Sequence, residues 1–141
     1  MTEEPSVKSN PPLSARSRVA ALLDQYGLRA DKGFGQNFLV DEAALRAIIA
    51  AAAIAPGDHV LEGGPGLGVL TRALLDAGAN VTSVELDARL LPLLEAEFAI
   101  ELGKEGPGGL NLVHEDALRF DLAAMPVRSK LVANLPYNVA T

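Results

Sequence analysis

The stretch Asp58-His-Val-Leu-Glu-Gly-Gly-Pro-Gly-Leu-Gly68 constrains the fold more than any other part of the chain. His59 to Leu61 read as a short buried strand, with Glu62 at its C-terminal end. A glycine-rich turn follows, and then Leu67, Leu70 and Leu74 recur at helical spacing. Strand, tight turn and helix make the opening unit of an open α/β sheet. In such sheets ligands sit outside the carboxyl ends of the strands, where glycines admit close approach of the backbone.

The remaining elements fall into place around this unit. Residues 1 to about 13 carry Pro5, Pro11 and Pro12 in a polar run and are expected to form a flexible tail. Ser14 predicts the N-cap of a helix to about Tyr26, with Val19, Leu22, Leu23 and Tyr26 on one face and Gly27 as its stop. Residues 31–39 combine glycines and amides with Phe34, Phe38 and Leu39. They read either as a loop pinned by two aromatics or as a lid whose Gln36 and Asn37 reach a ligand. Asp41 predicts the cap of a second helix, Glu42 to about Ala53, with Leu45, Ile48 and Ile49 on one face. After the glycine turn a helix is expected to about Asp76, closed by Gly78, then a strand from Asn80 to Glu85. The next helix carries Leu90, Leu91, Leu94 and Phe98 and starts near Leu90, because Pro92 is tolerated only in a first turn. Gly103 to Gly109 reads as a surface loop. Leu110 to Val113 and Ser129 to Ala133 read as the third and fourth strands. Strands alternating with helices predict a parallel sheet with right-handed crossovers. An open sheet of this kind ordinarily continues beyond a fourth strand, so the chain reads as the first part of a longer fold.

Composition limits the chemistry. The 141 residues suit one domain, and the absence of cysteine excludes disulfides and thiolate metal sites. The longest apolar run, Ala47 to Ala55, is far shorter than the roughly 18 residues of a membrane span. A soluble, cytoplasmic, monomeric protein with no membrane partner is the expectation. The net charge of −6 does not by itself suggest a nucleic-acid partner. Lys8, Arg16, Arg18, Arg29 and Lys32 nevertheless outnumber the nearby acids and leave room for a local basic strip.

Each of the four strands leads to a polar residue: Glu62, Glu85, Asp116 and Asn134. Singly, such residues only solubilise a strand end; together along one edge of a parallel sheet they form a candidate site. Glu85 lies about 20 residues beyond the glycine turn, the offset of a carboxylate that accepts from a ribose diol. The glycines at 64, 66 and 68 depart from the dinucleotide pattern, since Val69 fills the place of its third glycine. A nucleoside ligand without a pyrophosphate fits better, and S-adenosylmethionine is the leading candidate. Its ribose suits Glu85, its adenine amino group Asp116, and its amino-acid moiety Gly64 to Gly66. Asn134-Leu-Pro-Tyr137 offers an amide, a proline-fixed turn and an aromatic, which suit a flat, amino-bearing ring. Alone, that tetrapeptide reads equally as a strand-ending turn with a packed tyrosine. After three matching strand ends the ligand reading is preferred, with Tyr137 stacking on an unpaired or flipped base. His59 and His114 lie far apart in sequence and read as structural, and Glu95, Glu97, Glu101 and Glu105 as a solvated face.

Gly35-Gln-Asn-Phe-Leu39, Glu62 to Gly68, Glu85-Leu-Asp87, Asp116-Ala117 and Asn134-Leu-Pro-Tyr-Asn138 occur in the order and spacing of the ribosomal RNA adenine dimethyltransferases, and roughly residues 14–141 resemble that family. The resemblance implies a Rossmann-like class I methyltransferase domain that uses S-adenosylmethionine, normally followed by a smaller helical domain absent here. It implies dimethylation of two adjacent adenines at N6 in small-subunit ribosomal RNA, within ribosome maturation. It carries cofactor contacts onto Asn37, Leu39, Gly64, Glu85, Asp116 and Asn134, beside the further candidates Gln36, the strand-end Glu62 and the turn residue Gly66. The target-base motif falls on Asn134, Leu135, Pro136 and Tyr137. Where the family usually has Ile or Val after the glutamate, this chain has Gly63. Alternatives at this point are a large-subunit adenine methyltransferase of the macrolide-resistance type and a non-catalytic cofactor- or RNA-binding assembly protein. A dinucleotide oxidoreductase is weaker still.

Overall fold

The computed structural model describes residues 21, 24–26 and 42–133. The expected tail, the lid stretch with Gln36, Asn37 and Leu39, the cap at Asp41 and the motif Asn134 to Asn138 lie outside the described residues. The elements run α1 (Glu42–Ala52), β1 (His59–Gly63), α2 (Val69–Asp76), β2 (Asn80–Glu85), α3 (Leu91–Glu97), β3 (Leu110–His114) and β4 (Lys130–Ala133), with short 3₁₀ turns at Ala88–Leu90, Ala117–Arg119 and Leu122–Ala124. The four strands form one parallel sheet in the order β3-β2-β1-β4. The chain steps outward from β1 to β3 and then returns to lay β4 on the other side of β1. That reversal is the arrangement in which a crevice opens at the strands' carboxyl ends.

Register explains the core. Val60 pairs with Val81 and Val81 with Leu110, so these three point to one face, and Val132 stands beside Glu62 on the same face. Parallel strands need such a face covered by helices. Here Leu70, Leu74 and Leu75 of α2 and Leu93 and Leu94 of α3 supply the cover, together with Leu67, Leu90 and Phe98. Leu45, Ile48 and Ile49 of α1 and Tyr26 pack against this cluster from its margin. Residues 21, 24 and 25 are helical, as the first helix requires.

The expected α/β class is the one adopted, with some boundaries shifted. β1 runs on through Gly63, which puts Glu62 inside the strand and not at its tip. Leu67 belongs to the turn before α2. In α3 the fully buried residues are Leu94, as expected, and Leu93, whereas Leu91 is half-buried, because the helix starts at Leu91 with Pro92 in its first turn and Leu90 is buried from the 3₁₀ turn before it. The loop after α3 is only partly a surface feature: Gly109 is buried, and its carbonyl accepts from the Val81 amide at 2.9 Å. Two 3₁₀ turns after β3 were not legible as periodic elements, since each is a single turn.

Candidate functional site

The turn between β1 and α2 is built from glycines in the left-handed region: Gly64 at φ 70°, Gly66 at 58° and Gly68 at 87°. Side chains rarely adopt these angles, so the backbone alone forms the turn. It is tied to the neighbouring strand twice. The Gly64 amide donates to the Val84 carbonyl at 3.0 Å, and the Gly66 amide donates to Glu85 Oε1 at 3.2 Å.

Glu85 ends β2 and is buried, with its second oxygen, Oε2, accepting from the Asp87 amide at 2.8 Å. Burial pushes its carboxyl upward, while these backbone amides oppose the shift. A carboxylate offers about four acceptor positions. Two amides occupy two of them, and capacity remains for a diol. Asp87 is held below the usual carboxylate range, chiefly by the Arg89 side chain, which pairs with it at 2.8 Å.

Beyond β3, Asp116 turns its Oδ1 onto the Leu118 amide at 3.0 Å and thereby caps the 3₁₀ turn Ala117–Arg119. The same device recurs at Asp87 with the Arg89 amide and at Asp121 with the Ala123 amide. A short acidic side chain bonding two residues ahead is a legible turn signal.

A cleft of about 500 Å³ opens between these parts, lined by Gly64, Val84, Glu85, Leu86, Asp87, Asp116, Ala117 and Leu118. Its size is that of a pocket for a small organic ligand, roughly 300–1,000 Å³. Gly64, Glu85 and Asp116, expected to share a site, do share it. Leu86 and Leu118 were not anticipated. Both are largely exposed apolar residues, at 63% and 87%, each just past a strand-end acid, and that placement was the available signal. Three carboxylates among apolar side chains suit a flat heterocycle attached to a hydroxylated, cationic remainder.

Glu62 departs from the expectation that it lines the crevice. It is fully buried, and its Oε1 accepts from Thr71 Oγ1 at 2.6 Å and from Ser83 Oγ at 2.7 Å. Its strand continues to Gly63, and the register pairs it with Ser83, so its side chain faces α2. Gly66 contributes its amide to Glu85 and is not among the lining residues of the cleft. No cluster of His, Cys, Asp and Glu fit to hold a metal occurs among the described residues, and no described helix is long and apolar enough to cross a membrane.

Comparison with known proteins supplies a second line of observation. The family model described as Ribosomal RNA adenine dimethylase matches residues 27–141. A curated relative from Deinococcus radiodurans, Ribosomal RNA small subunit methyltransferase A, is 48% identical over 128 residues, covering 91% of this chain and 41% of its own length. One of the same name from Magnetococcus marinus is 49% identical over 133 residues, covering 92% and 46%. The chain thus spans less than half the length of either relative. Among solved structures, a dimethyladenosine transferase from Plasmodium falciparum superposes with a TM-score of 0.56 at 32% identity, over 70% of this chain and 34% of that one. The 23S rRNA methyltransferase ErmE superposes with a TM-score of 0.57 at 32% identity, over 71% and 38%.

Proposed function

Because the chain belongs to the ribosomal RNA adenine dimethylase family, we propose that it is the cofactor-binding part of an enzyme that transfers methyl groups from S-adenosylmethionine to adenine N6 in small-subunit ribosomal RNA, two adjacent adenines being dimethylated during ribosome maturation. The observation that carries this reading is the single cleft that gathers Gly64, Glu85 and Asp116 at the carboxyl ends of the strands. Residues 14–141 then form the N-terminal part of the methyltransferase domain, acting in the cytoplasm as a monomer.

In this reading Glu85 accepts from the ribose hydroxyls and Asp116 from the adenine amino group. Leu86 and Leu118 enclose the adenine ring between apolar surfaces, and the turn at Gly64 passes close to the amino-acid moiety. The acidic lining favours a ligand with net positive charge. Gln36, Asn37 and Leu39 supply further contacts to the cofactor. When bound, the cofactor supplies a methyl group already activated by its sulfonium. The chain's task is therefore positioning and polarisation, with no strong general base required. The side-chain oxygen of Asn134 and a backbone carbonyl of the Leu135-Pro136 turn accept the two hydrogens of the target amino group, which localises its lone pair on nitrogen. Tyr137 stacks on the target base, and Asn134 also borders the cofactor.

The test is incorporation of labelled methyl groups into undermethylated small ribosomal subunits by the protein carrying Asn134→Ala. Loss of nearly all turnover is expected, and near-normal turnover would contradict the role of that residue. Large subunits assayed in parallel address the second reading, favoured by the superposition on ErmE. Methylation of large-subunit RNA alone would decide for it.

A further inference from the structure

Among the described residues, one buried acid has no part in the proposed ligand contacts. Glu62 is fully buried, and the two hydroxyls that serve it are buried with it: Thr71 at 0% exposure and Ser83 at 1%. Its Oε1 receives both, at 2.6 and 2.7 Å, while its Oε2 is buried without a hydrogen-bond partner. Packing alone gives no reason for this polar trio, since apolar side chains at all three positions would leave no polar atom orphaned.

The location gives a reason. Glu62 is on β1 directly before the glycine turn, Thr71 is in the first turn of α2 directly after it, and Ser83 is on β2 two residues before Glu85. Register sets Ser83 beside Glu62. One carboxyl oxygen therefore joins the three elements that bracket the turn. Glu85 then closes the circuit from the other side by accepting from the Gly66 amide.

We propose that Glu62 is a positioning residue for cofactor binding: through Thr71 and Ser83 it locks α2 and β2 onto β1, and this lock holds the glycine turn and Glu85 in the arrangement that lines the cleft. The inference rests on the cleft being the S-adenosylmethionine site. Only Oε1 carries the lock, so it survives when the carboxyl takes up a proton on Oε2. Burial, helped by the nearby charge of Glu85, pushes this carboxyl up to about 7 against the two hydroxyl donors. Glutamine, which keeps one acceptor oxygen, should therefore replace it well; leucine should not.

The experiment is calorimetric titration of the full chain with S-adenosylhomocysteine at about pH 6, below the Glu62 midpoint, with melting curves recorded for each variant. Ser83→Ala and Thr71→Val each remove one arm and are expected to weaken binding about tenfold at temperatures well below melting. Glu62→Leu removes both arms, with an expected loss of about a hundredfold. Glu62→Gln is expected to stay within about threefold of the wild type. Ser83→Ala and Thr71→Val proteins that melt earlier yet bind like the wild type would overturn the positioning role and leave a merely structural one. Glu62→Gln binding as poorly as Glu62→Leu would overturn it as well. A wild-type chain that takes no S-adenosylhomocysteine overturns the cofactor reading itself, an outcome visible before any variant is made.

Discussion

Gly68 offers the sharpest test of how the turn is built. It is the residue before α2, at φ 87°, and no side chain caps the helix there. A Cβ at this position would lie 2.5 Å from Phe98 Cε2 and 2.8 Å from Cζ, with Leu94 Cδ2 at 3.4 Å. The ring has little room to retreat. Phe98 is 2% exposed, and the Arg72 guanidinium covers it at 4.7 Å while pairing with Glu101 at 2.7 Å. Gly68→Ala therefore meets two separate costs: about 1–2 kcal/mol for a left-handed non-glycine residue and about 1–3 kcal/mol for overpacking. The expected loss is roughly 2–5 kcal/mol, a large share of the 5–15 kcal/mol typical of a domain. Urea titration followed by circular dichroism measures it directly. Phe98→Leu separates the two costs. In that background Gly68→Ala should cost only the backbone share, so the double-mutant cycle should show a coupling of about 1–3 kcal/mol. A loss below about 1 kcal/mol, or strict additivity in the cycle, would refute the reasoning.

Three further outcomes are expected. Glu85→Gln sets an amide NH₂ against one of two backbone N–H donors, Gly66 or Asp87, which should cost about 1–3 kcal/mol of stability and about 10- to 100-fold in S-adenosylhomocysteine affinity; binding unchanged by calorimetry would remove Glu85 from the ribose. Asp116→Ala frees the Leu118 amide in an exposed turn, a loss of about 1 kcal/mol. Its larger expected effect is on base discrimination: the wild type should reject the inosine analogue of the cofactor, and the variant should bind both analogues alike. The Glu62 carboxyl titrates near 7 when folded, against an ordinary 4.5. The folded state thus holds that proton more tightly, and the stability it contributes is complete below about pH 4.5 and lost as pH rises through about 7. Wild type should lose about 3 kcal/mol relative to Glu62→Gln across that window. Parallel urea midpoints for the two proteins from pH 4.5 to 7.5 would contradict the burial argument.

The sequence carried the order of elements because the determinants are local. Helical spacing at Leu70 and Leu74, the glycine stop at 78 and Pro92 near a helix start each act within a few residues. It also carried the association of Gly64, Glu85 and Asp116, because parallel strands in one sheet deliver their ends to one edge whatever the crossovers look like. What could not be read locally depends on register. Glu62 stands one residue from the strand end and looks like another member of the row. The pairing of Glu62 with Ser83, and the arrival of Thr71 from the following helix, turn it inward. No spacing rule contains that information, since it requires knowing which residue of β2 lies opposite which residue of β1.

The same distinction bears on how the site acquires its shape. Glu85 and Asp116 look alike as strand-end acids but are fixed by different means. Asp116 makes a short-range bond to its own turn and could be transplanted with three residues of chain. Glu85 is bonded at both oxygens, once to its own turn at Asp87 and once across to Gly66 on a different element. Only the second kind of bond couples the glycine turn to the acid opposite it. A ligand that approaches the Gly64 backbone and also needs the Glu85 carboxylate therefore meets a pair already held in mutual register, and little ordering cost remains to be met on binding. Loosening the turn at Gly68, or releasing the inner lock at Glu62, should thus weaken the same ligand that a direct change at Glu85 weakens, although neither residue touches it.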